Sequence, residues 1–197
     1  MEPAVRVVGL GGSLRKGSTS LAALQITLEA AAKAGASTRL LAVRELDLPM
    51  YRPDMDTPPA AQALLEATAT AQGMVWSSPL YNGSVSGSFK NVIDWLHRLG
   101  DRDPPYLTDR VIGLVTTAGG TQGLQAINTM EFIVRSLRAW SVPMVLPVAQ
   151  AWRVFDEDGG VRDDLVAGQL QALGAEVVRA ARQMVMQGRC DYSEPWQ

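Results

Sequence analysis

One cysteine and one histidine are all the chain holds of the two residues most used for metal and redox chemistry. Cys190 alone makes no internal disulfide, and it excludes a cysteine-ligated iron–sulfur cluster or a Cys-rich zinc site. His97 falls on an expected helix and reads as structural rather than catalytic. No paired carboxylates, Ser/His/Asp set or metal-ligand cluster stands out, so no catalytic side chain is assigned. Charge is also scarce: charged residues make up 19% and the net charge is −2. That balance offers no electrostatic footprint for nucleic acid or an anionic membrane. No apolar run approaches the roughly 18 residues of a membrane span. The opening residues, Met1-Glu2-Pro3-Ala4, lack the basic start and apolar stretch of a signal peptide, so the expected location is the cytoplasm.

What is present is a globular composition, 47% hydrophobic over 197 residues. It suits one domain over 1–197, burying roughly 70% of its unfolded surface. Short apolar runs recur at 5–10, 38–43, 73–77, 111–117 and 142–148, and read as strands. Pro143 and Pro147 favour an edge position for the last of these. Helical stretches stand between them at 20–34, 57–71, 88–99 and 124–139, and a final helix is expected over 163–186. Prolines keep 48–53 irregular. A short extra strand is expected at 152–155, turned by Glu157-Asp158-Gly159-Gly160. Strand and helix alternating in this way predict a three-layer α/β/α domain around a doubly wound, five-stranded parallel sheet. The leading order is the flavodoxin-like 2-1-3-4-5, which opens a crevice where the order reverses.

Three loops of unusual composition fall at that crevice. The first, Gly11-Gly12-Ser13-Leu14-Arg15-Lys16-Gly17-Ser18-Thr19-Ser20, joins a strand to a helix. A helix N-terminus offers unpaired N–H groups and the positive end of a dipole, which suit a phosphate. Ser13, Ser18, Thr19 and Ser20 add hydroxyls, and Arg15 a charged fork. A P-loop needs Gly-Lys-Ser/Thr at its end, and here Lys16 comes before Gly17-Ser18. The dinucleotide fingerprint needs glycine where Leu14 stands. The loop therefore suits a mononucleotide; the plain alternative is a capped Ser/Gly turn without ligand. The second loop, Ser78-Pro79-Leu80-Tyr81-Asn82-Gly83-Ser84, and the third, Thr116-Thr117-Ala118-Gly119-Gly120, suit the wall and polar edge of a flat ring. Together the loops point to FMN. Trp76, Trp95, Trp140 and Trp152 read as core or interface residues, and Lys90 with Asp94 as a surface pair one helical turn apart.

Three motifs carry a resemblance. They are Gly12-Ser13-Leu14-Arg15-x-x-Ser18-x-Ser20, Pro79-Leu80-Tyr81-Asn82-Gly83-Ser84 and Lys90-Asn91-x-x-Asp94-Trp95. With Leu48-Pro49-Met50-Tyr51, they resemble the NAD(P)H-dependent FMN reductase family over residues 5 to about 147. The resemblance implies bound FMN, with Ser13, Arg15, Ser18 and Ser20 on its phosphate, Thr19 adjoining, and Pro79 to Asn82 and Thr117 to Gly120 around the ring. It implies homodimers or homotetramers, NADPH or NADH as co-substrate, and hydride transfer through the flavin N5 to a quinone-, azo- or metal-oxyanion-type acceptor. Arg15, Lys16 and Arg52 lean toward NADPH. The rival readings are a reductase that uses FMN as a diffusible substrate for a monooxygenase, an electron carrier without NAD(P)H activity, and a module with an empty crevice. The segment after Trp152 carries no implied role.

Overall fold

The computed structural model describes residues 4–188. Cys190 and the first three residues lie outside the described residues. The elements run β1 (Arg6–Gly11), α1 (Thr19–Lys33), β2 (Ser37–Ala42), α2 (Val43–Leu46), α3 (Pro59–Thr70), β3 (Gly73–Tyr81), β4 (Ser84–Val85), α4 (Gly87–Trp95, continued by a 3₁₀ turn over Leu96–Leu99), β5 (Val111–Thr117), α5 (Leu124–Ser136), β6 (Trp140–Val148), α6 (Ala151–Val154) and α7 (Asp164–Met186). The order across the sheet is β2-β1-β3-β5-β6, all parallel, with β4 antiparallel to β3. This is the expected order with one two-residue strand added to the count. Among the described residues no helix is long and apolar enough to cross a membrane.

Period-two alternation divides the strand side chains between two cores. Val8, Leu10, Met74, Trp76, Ile112 and Leu114 face α3, α4 and α5. Val7, Val75, Val111 and Val115 face α1 and α7. On the first side Trp76 is fully buried and meets Phe89 edge to face, ring centroids 6.0 Å apart. On the second, α1 and α7 pack backbone to backbone: a Cβ added at Gly174 would lie 2.2 Å from Thr27 O. These two layers hold the strand ends, and therefore the site, in place.

Three local expectations change. β3 does not stop at Ser77 but continues through Pro79 to Tyr81 and turns back into β4. Asn82 and Gly83, at φ 48° and 80°, form the two-residue turn between them. Both central residues at positive φ is the type I′ geometry that Asn-Gly favours. Residues 151–154 form a short helix rather than a strand, although Phe155 does pair with Val161 across the expected turn. A four-residue helix, α2, precedes the irregular proline segment. The edge position of β6 is as expected. Its register shifts between the partners of Ile112 and Leu114, and Pro143 falls in the displaced stretch, where a missing N–H breaks no ladder bond.

Candidate functional site

Ser18 starts the site, because it starts α1. Its backbone is extended and its hydroxyl accepts the Leu21 N–H, so it is the N-cap. The next N–H groups, of Thr19 and Ser20, have no partner within the helix. Around them lies a chain of buried hydroxyls: Ser13 Oγ donates to Ser18 Oγ at 3.0 Å, and Ser18 and Ser20 Oγ stand 2.9 Å apart. Arg15 and Lys16 are exposed beside them. Gly17, at φ 62°, lets the loop curl back into the helix.

The strand ends are bonded to one another. Gly12 N–H donates to Ser77 O at 2.9 Å, and Ser77 Oγ donates to Ser20 O at 2.8 Å. Thr19 Oγ1 donates to Thr117 Oγ1 at 3.1 Å, tying the first loop to the end of β5. The segment after β6 joins them: the N–H groups of Gln150 and Ala151 donate to Gly120 O and Ala118 O, each at 2.9 Å.

Between these ends lies a cavity of about 640 Å³, within the range of small-molecule sites. Of the residues singled out from sequence, the first loop contributes Ser13, Arg15, Ser18, Thr19 and Ser20 to its lining; Pro79, Leu80, Tyr81, Thr117 and Gly119 come from the other two loops. Asn82 and Gly120 are not among the lining residues. Asn82 instead occupies the exposed hairpin tip, where its backbone conformation gives it a local role. Arg52 pairs with Asp54 at 3.8 Å and is likewise not in the lining.

Lys16 and Gly17 of the first loop and Ala118 of the third also line the cavity, and the rest of the lining lies beyond the three loops. Trp152, expected in a core or an interface, is exposed and stacked under Arg153 with the guanidinium 4.6 Å from the ring centroid; it lines the cavity and is not part of a core. Phe155, Asp156, Glu157 and Arg162 close the far wall. Only the Phe-Asp-Glu-Asp-Gly-Gly run hinted at a tight turn there, and nothing in it pointed to the cavity. Lys90 and Asp94 form the expected i,i+4 ion pair. His97 faces a separate cavity of about 450 Å³, its Nδ1 3.4 Å from the Tyr106 hydroxyl.

The donors present fit a phosphate monoester: a helix N-terminus, three buried hydroxyls and two flanking cations. Gly119 fits a ring placed close to the backbone. A Cβ there would meet nothing within 4 Å, so the protein's own packing does not require glycine at that position.

Residues 5–153 match the NADPH-dependent FMN reductase family. The chain is 40% identical over 189 residues to a quinone reductase of Escherichia coli K12, covering 91% of this chain and 98% of that one. It is 29% identical over 179 residues to the NADPH-dependent FMN reductase ArsH of Shigella flexneri, covering 90% of this chain and 69% of that one. In fold it is similar to FerB, a flavoenzyme NAD(P)H:(acceptor) oxidoreductase from Paracoccus denitrificans (TM-score 0.72, 22% identity, 91% of this chain and 98% of that one). It is also similar to a flavodoxin, WrbA-like protein from Agrobacterium tumefaciens (TM-score 0.66, 19% identity, 91% and 98%). These two likenesses show the flavodoxin-like fold.

Proposed function

Because the chain belongs to the NADPH-dependent FMN reductase family, we propose that it is an NAD(P)H-dependent oxidoreductase that holds FMN in the 640 Å³ cavity and reduces small-molecule acceptors of the quinone class. The observation that carries this is the meeting of three separated loops in one cavity, with a buried hydroxyl chain at one end and an open glycine at the other. Bound FMN supplies the hydride-accepting and electron-donating chemistry.

The chain's own residues bind and orient. Ser13, Ser18 and Ser20 offer hydroxyls, and Thr19 and Ser20 offer N–H groups, to the phosphate. Arg15 adds a charged fork at the loop's exposed side. Pro79, Leu80 and Tyr81 give the ring an apolar wall, while Thr117, Ala118 and Gly119 bring backbone to its other side. Trp152 and Phe155 screen the space between from water. None of these residues has to move a proton for hydride to pass between nicotinamide and flavin.

In this reading the chain is a single FMN-binding domain, works in the cytoplasm, and assembles as a homodimer or homotetramer. Sedimentation then gives a dimer or tetramer mass; a monomer at micromolar concentration rejects that part of the reading.

The purified protein is expected to be yellow, to bleach on anaerobic addition of NADPH or NADH, and to regain colour with a quinone. A protein that stays colourless after incubation with excess FMN overturns the proposal. One that is yellow but does not bleach with either nicotinamide fits an electron carrier instead. Arg15→Ala is expected to weaken FMN by roughly thirtyfold, the equivalent of about 2 kcal/mol for one charge-assisted contact. A change below twofold in a fluorescence titration removes Arg15 from the phosphate site.

A further inference from the structure

The far wall of the cavity continues past residue 153, where the match to the family ends. There the chain forms a short hairpin. Phe155 pairs with Val161, and Asp156 N–H donates to Gly160 O at 2.9 Å. Inside the turn, Asp156 Oδ1 accepts the N–H groups of Asp158 at 3.0 Å and Gly160 at 2.7 Å. The turn has little slack: a Cβ at Gly160 would come within 2.5 Å of Asp156 Oδ2. Its tip rests on α1, with a Cβ at Gly159 lying 3.3 Å from that of Ala22.

This places the tip beside the phosphate loop. A cleft of about 130 Å³ separates them, with Gly17, Ser18 and Thr19 on one side and Asp156, Glu157 and Asp158 on the other. The tip's three successive carboxylates make no salt bridge among the described residues, and Glu157 and Asp158 are exposed. Arg162, just after the turn, is the one cation that this wall adds to the main cavity among the described residues.

We infer that this acidic hairpin sets where the ligand must end, admitting a flavin that closes in a phosphate monoester and rejecting one that continues as a diphosphate, as FAD does. The inference rests on the FMN reading above. A monoester in the cradle keeps its charge against the α1 N-terminus, Arg15 and Lys16. A diphosphate carries a second charge outward, toward the carboxylates of 156–158, where like charges repel.

The test is calorimetric titration of the full chain, freed of flavin, with FMN and with FAD at low ionic strength. The expected wild-type result is FMN bound at least about thirtyfold more tightly. In Glu157→Lys/Asp158→Lys the FMN-to-FAD ratio is expected to shrink about fivefold, mostly through tighter FAD. The isosteric Glu157→Gln/Asp158→Asn, which keeps the turn's shape, is expected to shrink it about twofold and stands in if the reversal fails to fold. FAD bound within threefold of FMN by the wild type overturns the inference and leaves the FMN reading intact. So does an unchanged ratio in the folded variants. If the wild type binds neither flavin, the FMN reading fails and this inference falls with it.

Discussion

Ser18→Asp is expected to leave the fold intact and to weaken FMN by at least a hundredfold. The two halves of this prediction come from one atom. Ser18 Oγ caps α1 by accepting the Leu21 N–H at 3.3 Å, and it takes a hydrogen bond from Ser13. A carboxylate performs both tasks, since aspartate is as good an N-cap as serine, and it favours the positive end of the helix dipole. Stability is therefore expected to stay within about 0.5 kcal/mol of wild type. Binding is another matter. The tethered carboxylate occupies the donors that a phosphate needs and adds a negative charge beside it. Losing two charge-assisted bonds, at about 1.5–3 kcal/mol each, already exceeds a hundredfold in dissociation constant. Riboflavin, which has no phosphate, should bind the variant about as well as the wild type. Calorimetry with both ligands and a thermal melt check the three statements. A folded variant that purifies fully flavinated removes the phosphate from this loop.

The physical basis of that prediction is legible in the sequence itself. The loop after β1 reads as a helix start because hydroxyls and glycines cluster after a β-branched run, and Ser18 does cap α1. The sheet order was legible for a similar reason: β-branched runs and helical stretches alternate, and handedness leaves few ways to arrange them. Other features were hidden by competing local signals. Pro79 reads as a break, yet it lies in β3 opposite Thr117, its neighbours bonding on the far side of the strand through the small β4 hairpin. Asn82-Gly83 is a hairpin signal in its own right, but an amide beside a tyrosine also has the chemistry of a ring contact, and the two readings compete. The far wall was the least legible part. Phe155, Asp156, Glu157 and Arg162 reach the cavity only because the tip of their turn packs on α1, more than a hundred residues earlier in the chain. Sequence spacing carries no trace of such a long-range contact. Trp152 shows the same limit, since an indole on a short helix has no pattern that tells a core position from a cavity rim.

Gly11→Ala is expected to cost about 3–5 kcal/mol of stability, a large fraction of what a domain of this size holds. Gly11 ends β1, opposite Ser77 of β3, and its φ is 151°. A Cβ built there lies 2.0 Å from Ser77 O and 2.8 Å from Ser77 C. The obstructing atoms are backbone, so no side-chain rotation relieves the clash. Overpacking of this kind costs about 1–3 kcal/mol, and the unfavourable backbone conformation adds about 1–3 more. Gly17→Ala is the control. Gly17 also has positive φ, 62°, but a Cβ there meets nothing within 4 Å. It is expected to lose only about 1 kcal/mol, the cost of the left-handed conformation alone. Urea denaturation of the two variants without ligand compares them directly, and equal midpoints sink the argument. The site should suffer beyond the stability loss. To admit the methyl group β1 and β3 must move apart, which stretches the Gly12 N–H to Ser77 O bond of 2.9 Å and the Ser77 hydroxyl's bond to Ser20 O. Those bonds join the first loop to the second. The fraction of Gly11→Ala that remains folded is therefore expected to bind FMN more weakly than Gly17→Ala does. Equal flavin affinity in the two folded variants means that the loops are held together by something other than the β1–β3 contact.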